Sequence, residues 1–161
     1  MDYNTDITAV IKNIPHFLDL SPHQLEMISN ISSLIEIDPG DIPIHEGAKL
    51  DYLYILLEGE IKVEVFIPGY GQVETSRLGP FDMLGWSAMT PMVRQRTGTT
   101  TAITHCWLIQ MDGSLLSSLC ETDHDIGFIL YRRLANVAAR SFLTTRIQLM
   151  NVLMQSLAVN P

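Results

Sequence analysis

Cysteine is scarce in this chain of 161 residues, with only Cys106 and Cys120 present. Two cysteines make no disulfide framework, which excludes a stapled miniprotein and points to a reducing compartment. Positive charge is scarce too. Ten Lys and Arg stand against 18 Asp and Glu, a net charge of −8, and the pI is near 4.9. Such a surface repels a phosphate backbone, so direct nucleic-acid binding is not expected. Basic residues come together only at Arg94 with Arg96 and at Arg132 with Arg133. Long apolar runs are missing: none approaches the ~20 residues that a membrane span needs. The opening MDYNTDITAV is acidic and lacks a basic stretch before an apolar one, unlike a secretory signal. These absences lead to the expectation of a cytoplasmic protein with no membrane partner.

Catalytic constellations are missing as well. The five histidines, His16, His23, His45, His105 and His124, are scattered. There is no His-x-His pair, and His45-Glu46 has no second ligand at usable spacing, so metal catalysis is not expected. Cys106 precedes Trp107 in an apolar stretch, which favours a buried thiol over a nucleophile. Ser114 and Ser117 have no paired base. An enzyme is therefore not expected, and no internal repeat, low-complexity tract or linker interrupts the chain.

What is present suits a packed core. The hydrophobic fraction is 47% and the mean hydropathy is +0.18, both typical of a compact globule. The length fits one domain, residues 1–161, in three zones. Residues 1–31 show helical spacing, with Ile14, Phe17, Leu18, Leu25, Ile28 and Ile31. Within them Ser21-Pro22 with Gln24 reads as a capped helix start. Residues 32–111 change period. SSLIEI ends at Pro39-Gly40-Asp41, YLYILLEGEIKVEVF is split by Gly59, and PGYGQ at 68–72 is a hairpin signal. TTTAIT and CWLIQM close this zone. Short strands every eight to twelve residues with glycine at the breaks predict an antiparallel barrel or jelly roll. In residues 112–161 the helical period returns. Ser114 is a candidate cap for a short helix, and Asp123 or Asp125 for a long one through Ile126, Ile129, Leu130, Leu134 and Val137. Leu143, Ile147, Met150, Met154 and Leu157 continue four and three apart, a stripe over about two heptads. It serves either its own core or a second copy of the same helix. The last turns run far past the strands, which favours a homodimer.

The stretch PFDMLGWSAM, with RTGTTTA beginning at Arg96, carries the chemistry. Gly85 can bring backbone close to a ligand. A short helical turn at Ser87-Ala88-Met89 would present free N–H groups to an anion. Arg96 has the fork that grips a phosphate in two places, and Arg94 is the alternative if the register slips by two.

Helices, then strands, then a long helix resemble the cyclic nucleotide-binding domain family of the catabolite activator protein type. The resemblance covers nearly the whole chain. IPHFLDLSPHQLEMIS is similar to the family's N-terminal helices, and IHEGAKLDYLYILLEGEIKV to its most distinctive stretch, with Gly47 and Gly59 bracketing a strand pair. RLGPFDMLGWSAM with RTGTTTA is similar to its phosphate-binding cassette, and LIQMDGSLLSSL with Arg132-Arg133-Leu134 to its C-terminal helices. The resemblance implies an antiparallel double-stranded β-helix, or jelly roll, with flanking helices and a long C-terminal helix. It implies a regulatory sensor that holds a cyclic nucleotide, cAMP or cGMP, or a similar phosphate-bearing molecule. The implied ligand-binding set is Gly85, Trp86, Ser87, Ala88, Arg96 and Thr97, with Arg96 on the phosphate and Thr97 adding a hydroxyl.

Two departures qualify that expectation. Where the family usually carries a Glu for the ribose hydroxyl, this chain has Trp86, which offers one N–H and no acceptor. The indole either roofs a ligand or fills the space of an absent one. Losing one charge-assisted hydrogen bond costs about 1.5–3 kcal/mol. The purine contacts that follow the Arg-Arg-Leu would fall near Val137 and Ala138, both apolar, with Thr144 and Thr145 further along. The family's regulators continue into a helix-turn-helix, and none is expected before Pro161. The alternative function is a degenerate domain with an empty pocket that works as a dimerising interaction module.

Overall fold

The computed structural model describes residues 6–47, 51–90 and 98–159, the last segment with side chains through residue 155. The chain begins with two short helices joined by a 3₁₀ turn at Pro15–Phe17: α1 (Ile7–Ile11) and α2 (Pro22–Ser29). α2 starts where the Ser-Pro-x-Gln pattern predicts. The Ser21 hydroxyl accepts from the Gln24 N–H, and the Gln24 side chain accepts from the Ser21 N–H, a reciprocal capping box.

Seven strands follow among the described residues: β1 (Ser32–Ile37), β2 (Tyr52–Glu58), β3 (Ile61–Ile67), β4 (Gly71–Leu78), β5 (Met83–Leu84), β6 (Thr99–Ala102) and β7 (Cys106–Asp112). They form two antiparallel sheets, in the orders β1-β7-β2-β5 and β4-β3-β6. The expected turns do the joining. Gly59 connects β2 to β3 at φ 100°, and a Cβ there would lie 2.5 Å from the Cys106 Sγ and 2.6 Å from the His105 carbonyl oxygen. Only glycine fits both the backbone angle and the space. The PGYGQ segment makes the β3–β4 hairpin.

β2 and β7 are apolar on both faces, and alternation sends their side chains to two different cores. Leu53, Ile55 and Leu57 of β2, with Ile109 and Met111 of β7, join the helix-side core. Tyr54 and Leu56 of β2, with Cys106 and Leu108 of β7, join the core inside the roll. Both cysteines are buried and free of any disulfide, and burial pushes the Cys120 thiol up to about 11. A thiol held that high stays protonated and unreactive near neutrality.

The two last helices are α3 (Gly113–Thr122) and α4 (His124–Val159). α3 departs from expectation at its start. Its cap is Asp112 and not Ser114, because the Asp112 carboxylate accepts from the N–H groups of both Ser114 and Leu115. At α4 the cap is Asp123, one of the two expected: its carboxylate accepts from Asp125 and Ile126 N–H and also from the Gln24 side chain. One carboxylate thus starts α4 and ties it to α2. α4 then buries Ile126, Leu130 and Leu134 in the helix-side core, and no described helix is long and apolar enough to cross a membrane.

The hydrogen bond from the Ile126 N–H, then that from Gln24, holds the Asp123 carboxyl below its ordinary 3.8. A lowered folded value stabilises the fold above 3.8, and that contribution is lost as the pH falls through the folded value. Asp123→Ala is expected to melt at a lower temperature than wild type at pH 7. The gap should close as the pH drops below 3.8 in thermal melts followed by circular dichroism.

Candidate functional site

A cavity of about 690 Å³ lies between the roll and α4, within the usual range for small-molecule sites, roughly 300–1,000 Å³. One wall is the inner surface of the β4-β3-β6 sheet, with Val63, Val65, Thr75 and Thr100. A second is the chain from the end of β4 through β5 to a 3₁₀ turn at Trp86–Met89, contributing Phe81, Leu84, Gly85, Trp86 and Ser87. The third is one face of α4: Val137, Ser141, Thr144, Thr145 and Gln148. That face continues the helical spacing of the core residues Ile126, Leu130 and Leu134. Its composition changes from aliphatic to hydroxyl and amide as the helix leaves the core and crosses the cavity.

Of the residues expected at the site, Gly85, Trp86 and Ser87 come together on this cavity. Gly85 precedes the 3₁₀ turn in the left-handed region, at φ 76°, a conformation that favours glycine. Trp86 is half-buried, packs against the helix-side core and borders the cavity without closing it. Ala88 packs on the roll-side core. It also abuts α3 so closely that a Cβ on Gly113 would meet its methyl at 2.8 Å. Ser117 donates to the Met89 sulfur at 3.6 Å, so the whole turn rests on α3. Arg94, Arg96 and Thr97 lie outside the described residues, as do positions 48–50. Gly98, next in sequence, lines the cavity.

Residues not anticipated as site residues complete the mouth. Phe81 takes φ 69°, unusual without glycine. It is held by its own N–H donating to the Leu56 carbonyl at 2.6 Å and by the His16 imidazole donating to its carbonyl at 2.7 Å. Asp82 accepts from the Gly79 N–H and faces Arg140 of α4 at 3.8 Å. Arg133 pairs with Asp19 at 2.7 Å, joining α4 to the N-terminal segment. On the sheet wall Arg77 pairs with Glu74 at 2.7 Å and Glu60 at 3.1 Å. The Arg77 side-chain hydrogen bond holds the Glu74 carboxyl below its ordinary value. Each described arginine lining the cavity therefore already has a carboxylate partner. The polar face of α4 was legible in principle, since the hydroxyls of Ser141 and Thr144 and the amide of Gln148 fall four, seven and eleven residues after Val137. Among the described residues no group of three His, Cys, Asp or Glu stands close enough to hold a metal.

Residues 34–123 match the family model of the cyclic nucleotide-binding domain. The chain belongs to this family. Similar solved structures include a cyclic nucleotide-binding domain from Methylobacillus flagellatus KT, with TM-score 0.75 and 19% identity over 90% of this chain and 81% of that one. Another is the N-terminal domain of a transcriptional regulator from Streptomyces coelicolor A3(2), with TM-score 0.66 and 24% identity over 82% and 94%. The sensor domain of the transcriptional regulator DNR from Pseudomonas aeruginosa has TM-score 0.66 and 16% identity over 80% and 91%. Identities this low establish the shared fold. No curated protein matches the chain. The jelly roll with flanking helices and a long C-terminal helix, expected from the sequence, is the observed fold.

Proposed function

We propose that residues 1–161 act as one non-enzymatic regulatory sensor domain. It binds a cyclic nucleotide or similar phosphate-bearing small molecule in the roll and signals through α4. The observation that carries this reading is the cavity whose walls come from both the sheet and α4. An occupant touches both, so it binds unequally to any two positions of the helix, and only such a difference can shift an equilibrium between them. The hydroxyl-bearing face of α4 supports a polar occupant. The family resemblance supports Arg96 as the residue that grips the phosphate, with Thr97 adding a hydroxyl; both lie outside the described residues.

A second surface supports output through a homodimer in the cytoplasm. Leu143, Ile147, Met150 and Met154 are 55%, 49%, 54% and 68% exposed. These apolar side chains form an exposed stripe on α4, Leu143 and Ile147 level with the cavity-lining residues and Met150 and Met154 past them, and a second α4 would bury them. The same stripe is what an interaction module without a ligand would use, so binding and association are tested separately.

Isothermal titration with cAMP and cGMP is expected to give saturable binding by wild type. Arg96→Ala should weaken it by about ten- to a hundredfold, the loss of one charge-assisted contact. No binding by wild type up to millimolar, with binding gained by Trp86→Glu, supports the interaction module instead. In sedimentation velocity, wild type should run as a dimer and Met150→Asp as a monomer. A monomer in both removes the dimer.

A further inference from the structure

We propose that Thr100 is a ligand-contact and specificity-determining residue, its hydroxyl bonding a polar oxygen or nitrogen of the molecule in the cavity. This deepens the sensor reading and rests on it. In β6 the side chains alternate, so that Thr100 and Ala102 are buried while Thr99 and Thr101 are partly exposed. Thr100 is 4% exposed and stands opposite Val63 of β3, on the wall of the cavity. Its backbone N–H is satisfied by the Ile44 carbonyl at 2.9 Å. Its Oγ1 has no hydrogen-bond partner among the described residues. Thr75, equally buried on the same sheet, differs: its hydroxyl donates to the Val63 carbonyl at 3.2 Å.

A buried hydroxyl without a partner is unfavourable, and valine would fill the same shape without that penalty. Thr100 lines the cavity with its hydroxyl covered, and a turn of the side chain about its Cα–Cβ bond brings that hydroxyl to an occupant that supplies the missing bond. Across the cavity Ser141 and Thr144 of α4 offer further hydroxyls. A molecule bound between them is polar at both ends, which favours an oxygen-rich ligand over an apolar one.

The test compares Thr100→Val, nearly isosteric but without the hydroxyl, with Thr100→Ser, which keeps it. Titrations use cAMP and cGMP as probes, and thermal melts are run without ligand. Thr100→Val is expected to bind the preferred nucleotide about three- to tenfold more weakly. Its ligand-free melting temperature should equal or exceed that of wild type, and Thr100→Ser should keep most of the affinity. Wild-type affinity in Thr100→Val would overturn the inference and leave the sensor reading standing. A large drop in its ligand-free melting temperature would overturn it too, by revealing a structural partner for the hydroxyl. Failure of wild type to bind either nucleotide removes the sensor reading and this inference together.

Discussion

One face of α4 does two jobs, and the organisation of the molecule depends on it. Over its first turns the face packs Ile126, Leu130 and Leu134 into the core between sheet and helices. Further along it presents Val137, Ser141, Thr144 and Gln148 to a hollow in the roll. A rigid helix transmits what happens at one end of such a face to the other, because its backbone bonds leave few soft joints. The hollow exists because the roll's own apolar side chains converge elsewhere. β2 and β7 send theirs to two cores, and the β4-β3-β6 sheet meets α4 along β4 with the cavity beside that contact.

The contacts that hold α4 across the mouth are of unequal strength. Burial of Ile126, Leu130 and Leu134 anchors the start of the helix, each fully buried aliphatic side chain contributing about 1.5–3 kcal/mol. Arg140 to Asp82, at 3.8 Å with the guanidinium 82% exposed, is a screened surface pair worth about 0–1 kcal/mol. In the proposed sensor, anchoring that is firm at one end and light along the cavity lets α4 respond to an occupant. The 3₁₀ turn at Trp86–Met89 offers a second route, since Ala88 and Met89 rest on α3, which packs against α4.

Features decided by local chemistry were legible in the sequence. The Ser21 capping box, the break at Gly59 and the PGYGQ hairpin each follow from neighbours within a few residues. The exposed stripe from Leu143 to Met154 was legible for the same reason, as a periodicity that needs no knowledge of the fold. The start of α3 was misread because Asp112 and Ser114 are both good caps, and the choice between them depends on where β7 releases the chain. Thr100, His16 and Ser141 could not be grouped from sequence. They lie in different zones of the chain, and only closure of the roll under α4 places them around one space. Trp86 was legible as a departure from the family. Its effect was not, since an indole that borders a cavity and one that fills it are the same letter.

Hydrogen exchange read by mass spectrometry, with and without cAMP, tests most directly whether sheet and helix share one occupant. The account predicts slower exchange on binding in both residues 99–102 and residues 137–148, which line the cavity from different walls. Protection of the sheet segment with α4 unchanged would contradict it, since the helix would then take no part in holding the ligand.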